Sequence, residues 1–255
     1  MIDDIYNKMS IDNQCNLSIE ELRLLYEIDN SSDESLDKYR EKRNNYLDFC
    51  KLFGKKYVVD DPYNINENTL CYIGNLMVVD KLPTYNLKYI YGRLTYIPFD
   101  EIYNLENLEI VFDDVYFSDI NSAEGLENLK IIGGSAYFNH IINAEALISL
   151  TKVYKTLNLS NLEKSNGLDS LEYVGLDAIL PRLMEVNYLT KLKRVNGNLF
   201  LNCMTNSKGL YNLEYVGKTA YFNNMIDTSG LISLKSVESI KCKKYKYIDN
   251  RFITK

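Results

Sequence analysis

Leucine recurs every 21 residues through the last two thirds of the chain, at Leu87, Leu108, Leu129, Leu150, Leu171, Leu192, Leu213 and Leu234. A second leucine row precedes it by three residues: Leu105, Leu126, Leu147, Leu168, Leu189, Leu210 and Leu231. A β-branched row follows it by three, from Ile90 and Val111 to Val216 and Val237. No insertion or deletion breaks the phase. A fixed period near 20 residues marks a solenoid, in which each unit buries its apolar face only against its neighbours.

With the repeated leucine as position zero, position seven reads Leu94, Val115, Ala136, Leu157, Ala178, Leu199 and Ala220. Position nine reads Tyr96, Phe117, Phe138, Leu159, Leu180, Leu201 and Phe222. Apolar residues two apart have strand period, so seven and nine face inward and six, eight and ten face solvent. Where position seven is Ala136 or Ala220, position nine is phenylalanine, the size compensation that close packing requires. Positions twelve, fifteen and eighteen are apolar or small at three-residue spacing, which predicts a short helical or 3₁₀ segment on the opposite side. The expected fold class is an α/β solenoid with a parallel sheet on one face. At about 4.8 Å per strand, eight units span roughly 38 Å.

The flanks differ from the repeat. Residues 1–56 predict a small helical N-terminal cap. Ser18 and Glu21 form a capping box that opens a helix fading near Asp29 and Asn30. Ser31 or Ser32 caps a second helix, with a stripe of Leu36, Tyr39, Tyr46, Leu47, Phe49, Cys50 and Phe53 and a stop at Gly54. Residues 57–86, broken by Asp60-Asp61-Pro62, predict an irregular transition or first coil. Residues 87–240 are the solenoid, and residues 241–255 a basic C-terminal cap or tail. Lys241 falls at position seven of the last unit, where the core must stop.

The net charge of −6 argues against direct nucleic-acid binding, which needs a basic footprint. It is unevenly spread: residues 241–255 carry +5, leaving −11 for the rest. Five widely spaced cysteines form neither a disulfide framework nor a zinc signature. The acidic start lacks the features of a signal peptide, and no stretch is long and apolar enough to predict a membrane span. These features predict a reducing, cytoplasmic setting.

Little in the chain predicts catalysis. The single histidine, His140, stands at position eleven one coil after Asp119, a spacing of about 5 Å. Cys203, three coils on, is roughly 14 Å away, too far for a thiol–imidazole dyad. No phosphate-binding loop, serine-hydrolase elbow or metal-ligand cluster is present in the sequence, so no enzyme activity, cofactor or metal is expected.

The outward row at position eight is the more informative feature: Thr95, Tyr116, Tyr137, Asn158, Ile179, Phe200 and Tyr221. A row of large apolar and aromatic side chains, flanked at position six by Arg93, Asp114, Ser135, Thr156, Asp177, Asn198 and Thr219, has the pattern of a contact surface with a polar rim. Tyr and Phe are also good strand residues that pair across neighbouring strands. The row at position two (Tyr89, Ile110, Ile131, Lys152, Tyr173, Arg194, Tyr215) is mixed and assigns itself to neither core nor surface.

The string Leu189-x-x-Leu192-x-x-Val195-x-Gly197-x-Leu199-x-Leu201 resembles the leucine-rich-repeat family, in the variant seen in receptor L domains. It departs from the commonest form of that repeat, because Ile97 and Pro181 interrupt an asparagine and serine row at position ten. The resemblance implies a right-handed solenoid that binds other macromolecules through its sheet face and carries no catalytic residue. Residues Leu17 to Asp29 also resemble the opening of repeat proteins from low-GC bacteria and their mobile elements. The expected function is a non-enzymatic module that recognises a protein partner through the position-eight row. The alternative is an inhibitor encoded by a phage or mobile element, which blocks a host defence or nucleoprotein complex through an acidic surface.

Overall fold

Each 21-residue unit places two short strands against the same strands of the next unit. In a computed structural model that describes residues 47–79, 82, 86–97, 102–117, 120–248 and 251–254, these strands form two parallel ladders. The predicted helix from Ser18 to Asp29, and the front of the second helix, lie outside the described residues. The chain is a parallel β-solenoid of about eight turns.

The first ladder uses positions two and three. Tyr89–Tyr91 pairs with Ile110–Val111, and the series continues through Lys152–Val153 and Arg194–Val195. The second uses positions seven to nine, from Leu94–Tyr96 and Val115–Phe117 to Leu199–Phe200. A bend at positions four to six separates them. In Tyr215–Tyr221 and Ser236–Lys241 the two strands run together, so both ladders belong to one sheet.

The inward rows are where the periodicity places them. The repeated leucines from Leu87 to Leu213 are at most 1% exposed, and one continuous core runs from Ile65 to Cys242. At position nine, Tyr96, Phe117 and Phe138 stack inside the coil with centroids 5.3 Å apart at each step. The buried Tyr96 hydroxyl accepts the Tyr103 amide at 2.8 Å, so it keeps a hydrogen bond inside the coil.

The third side differs from the expectation. Only two of the described units carry a 3₁₀ turn there, Glu145–Leu147 and Lys208–Leu210; elsewhere turns and isolated bridges such as Ser122 to Asn143 and Lys164 to Glu185 fill the space. The solenoid is therefore a β-solenoid with little helix rather than an α/β stack. Spacing is the physical reason. Coils pack at strand distance, about 4.8 Å, whereas an α-helix is about 10 Å across. The closeness shows at Gly167, where a Cβ would lie 1.8 Å from the Ala144 carbonyl oxygen.

The ends also depart from the 21-residue step. Cys71 pairs with Tyr89 and Leu76 with Leu94, an offset of 18 residues, so much of 57–86 forms a regular coil of its own. Val58–Val59 extends the first ladder one strand further. At the far end the last strand is one residue short: Val237 to Ser239 spans two steps where Val216 to Thr219 spans three. That shift puts Ile240, not Lys241, opposite Ala220 in the core row, and turns Lys241 outward beside Tyr221. The chain then closes with an antiparallel hairpin, Tyr245–Ile248 against Arg251–Thr254, while Cys242 is buried and the Tyr245 hydroxyl donates to the Ile226 carbonyl at 2.8 Å.

The helix at residues 47–53 lies against the outer face of the first ladder. Phe53 stacks on Tyr89 at 5.3 Å, and Phe49 meets Tyr91 edge-on at 5.1 Å. With Cys71, Ile73, Ile110, Phe112 and Ile131 they form a second buried core. This explains the mixed row at position two: Ile110 and Ile131 lie under the helix, whereas Arg194 beyond it is exposed.

Candidate functional site

The second ladder turns position eight outward because its strands alternate. In Leu94–Tyr96 and Val115–Phe117 the outer two side chains are buried and the middle one half-exposed. Thr95, Tyr116, Tyr137, Asn158, Ile179, Phe200 and Tyr221 are all half-exposed, and each is in register with the next. The seven predicted residues therefore form one row along the stack. Met77, 62% exposed and paired with Thr95, extends it by one coil, and Lys241 closes it. Met77 escaped the sequence reading because the 18-residue offset moves it out of phase.

Within the row the rings pair. Tyr116 and Tyr137 stack at 4.6 Å with planes 13° from parallel; Phe200 and Tyr221 stack at 4.5 Å and 8°. Asn158 and Ile179 separate the two stacks. Stacked rings cover each other's facing surfaces and leave their edges outermost, and the Tyr116 hydroxyl donates to the Asp114 carboxylate at 3.4 Å. The Arg93 guanidinium lies over the Tyr116 ring at 5.2 Å and pairs with Asp114 at 3.4 Å. Desolvation, then the charge of Asp114, pushes the Tyr116 phenol above its ordinary range, so it stays a neutral hydrogen-bonding group at neutral pH.

Position six is not a free polar rim. Asp114 accepts the Ser135 amide at 2.7 Å, Asp177 accepts the Asn198 amide at 2.6 Å, and Asn198 in turn accepts the Thr219 amide at 3.2 Å. These short acceptors satisfy backbone donors at the bend, which the strands themselves leave unpaired. They hold the coils in register. The sequence signal was present, since Asp, Ser, Thr and Asn dominate that row. A comparable asparagine contact occurs before position zero rather than at position ten: Asn128 donates to the Glu106 carbonyl at 2.7 Å and Asn212 to the Thr190 carbonyl at 2.6 Å.

A charge ladder at position one was also missed. Glu109 lies between Lys88 at 3.3 Å and Lys130 at 2.7 Å, and Glu214 pairs with Lys235 at 2.8 Å. Partial burial raises the Glu109 carboxyl, but the two lysines outweigh that and hold it below its ordinary value. The signal is the alternation Lys88, Glu109, Lys130 at 21-residue steps.

The remaining candidates lie elsewhere, and the Asp119–His140 pair falls partly outside the described residues. His140 is exposed, Cys203 is half-buried, and Asp119 lies outside the described residues. Burial pushes the Cys71 thiol well up, which keeps it protonated beneath the helix. Among the described residues no group of three or more His, Cys, Asp or Glu can hold a metal ion, and no helix is long and apolar enough to cross a membrane. On the third side a cleft of about 350 Å³ is lined by Ile102, Tyr103, Glu106, Ser122, Glu124, Gly125 and Glu127. No protein-family model and no curated protein sequence matches the chain.

Proposed function

We propose that the chain is a non-enzymatic protein-binding module of the leucine-rich-repeat kind, right-handed like the receptor L-domain variant, and acts in the cytoplasm. One observation carries this reading: the unbroken outward row from Met77 to Tyr221, with two ring stacks bracketing Asn158 and Ile179. Such a row offers apolar ring edges on a rigid parallel backbone, a setting in which Tyr and Phe act as binding anchors. The polar groups beside it are committed to the bend, so recognition falls on the row itself. Replacing Tyr116, Tyr137 and Tyr221 with alanine abolishes capture of the partner and leaves the folded solenoid in place; unchanged capture would remove the reading.

A second reading keeps the mobile-element inhibitor. The observation favouring it is the carboxylate lining of the third-side cleft, Glu106, Glu124 and Glu127, which lies apart from the aromatic row. A partner held there is basic and leaves as salt rises, because surface charges are screened over about 8–10 Å at physiological ionic strength. A partner held on the ring stacks survives high salt.

A further inference from the structure

The third side, positions thirteen to nineteen, repeats every second coil. Isolated parallel bridges join Ser122 to Asn143, Lys164 to Glu185 and Asn206 to Asp227, at every other junction. The residue before the second partner of each bridge donates its amide to the previous coil: Ile142 to the Asn121 carbonyl at 2.8 Å, Met184 to Glu163 and Ile226 to Thr205 at 2.9 Å. The side chains of these three are 61%, 49% and 59% exposed. The coils between them carry Asn121, Glu163 and Thr205 at the same position. Three aliphatic side chains therefore stand in line on the surface, two coils apart, with polar residues between them. A cleft of about 330 Å³ opens beside Ile142, lined also by Ala144, Glu145, Glu163 and Asn166.

We propose that this row is a docking surface for a basic amphipathic α-helix of a partner protein, laid along the stack. The proposal rests on the acidic-surface reading for the sign of the partner's charge and adds the partner's shape. Spacing selects the helix. Two coils are about 9.6 Å. A helix returns to the same face after seven residues, about 10.5 Å, so its residues i, i+7 and i+14 meet Ile142, Met184 and Ile226 at a tilt of about 24°. An extended strand covers the same step in about three residues, which turns successive side chains to opposite faces. A polyproline II segment keeps one face at about 9.3 Å per turn, but it docks in grooves walled by aromatic rings, and this row is aliphatic. Charge selects the sign. Glu124, Glu127, Glu145, Glu163 and Glu185 are exposed on this side, against Lys164 and Lys208. Lys or Arg beside the apolar stripe of a helix complements them. Position eight belongs to the second ladder and stays open.

Peptide binding to the full-length chain, read by fluorescence anisotropy, tests it. The probe is a designed helix of three heptads with leucine at i, i+7 and i+14 and lysine on its flanks. The comparison peptide has the same composition with the leucine order scrambled. The helix binds at least about tenfold more tightly than the scramble and keeps that preference at high salt. The variant Ile142→Gln, Met184→Gln, Ile226→Gln loses the preference, and its thermal unfolding is unchanged because the replaced side chains are exposed. Equal binding of the two peptides, both released by salt, overturns the apolar row and leaves the acidic-surface reading standing. Binding of neither peptide overturns both. A preference that survives in the triple variant overturns the proposal, as does a basic polyproline peptide that binds more tightly than the helix. Tyr116→Ala with Tyr137→Ala leaves the helix affinity unchanged; a loss there places the helix on the aromatic row and overturns the proposal as well.

Discussion

The ring of Tyr116 lies face to face with that of Tyr137, one coil away, with centroids 4.6 Å apart. The two facing ring surfaces cover each other and Arg93 lies over the Tyr116 ring, so the stack presents mainly ring edges. A flat ligand that binds by stacking finds no free face between them. A protein surface, which can offer carbonyls and aliphatic groups to ring edges, finds those edges.

The stack is also a cross-strand pair, and its two members are energetically coupled. A double-mutant cycle with Tyr116→Ala and Tyr137→Ala, read from urea unfolding, returns a coupling of about 0.5–1 kcal/mol. Additive effects would mean that the two rings are merely adjacent.

Asp177 accepts both the amide and the side-chain nitrogen of Asn198, at 2.6 and 3.0 Å. Asp177→Ala leaves those donors unpaired at a half-buried bend and costs about 1–3 kcal/mol. Asp177→Asn keeps an acceptor and recovers some of that loss. Equal stability of the two variants in chemical denaturation would contradict the bend as a register device.

Gly54 and Gly167 share a left-handed φ, +88° and +90°. They differ in what a Cβ would meet: the edge of the Tyr57 ring at 3.5 Å, against the Ala144 carbonyl oxygen at 1.8 Å. Gly54→Ala costs about 1–3 kcal/mol from backbone strain alone. Gly167→Ala must also push adjacent coils away from each other and costs more, about 4 kcal/mol or above. Thermal unfolding of both variants measures the difference, and a similar loss in each would show that coil spacing at Gly167 is not tight.

Acid destabilises the charge ladder. The Glu109 carboxyl is held below its ordinary value, 4.5, so the folded chain takes up its proton less readily than the unfolded one. Its stabilisation is complete above that value and is lost as pH falls through the lowered one. Glu109→Gln costs about 0.5–1 kcal/mol for each lysine pair near neutral pH and flattens the fall in stability below pH 4.5. Urea midpoints at about pH 7 and pH 4 give the slope, and an unaltered slope in the variant would exclude Glu109 as its source.

The rows from Leu87 to Leu234, the inward positions seven and nine and the outward position eight were legible because burial imposes a strict alternation that repeats every 21 residues. The first ladder's outer face was not. Its row averages Ile110 and Ile131, covered by a helix, with Arg194 in the open, and no single environment explains both. Met77 was hidden by the 18-residue coil, and Lys241 was assigned to position seven, as a cap where the core stops, because a one-residue shift in the last coil leaves no mark in the leucine phase. The helical third side was expected from apolar spacing alone. Spacing does not carry the distance between coils, which Gly167 and Gly209 set. The polar flank at position six looked available, but its acceptors serve backbone amides one coil away.

The most direct measurement is partner capture from lysate of the source cell by the chain and by its Tyr116→Ala, Tyr137→Ala, Tyr221→Ala variant, each washed at low and at high salt. Recognition through the aromatic row predicts one protein retained by the unaltered chain at both salts and lost by the variant at both, with the variant's thermal unfolding still a single transition. Equal retention by the two chains, or a partner held only at low salt, would contradict it.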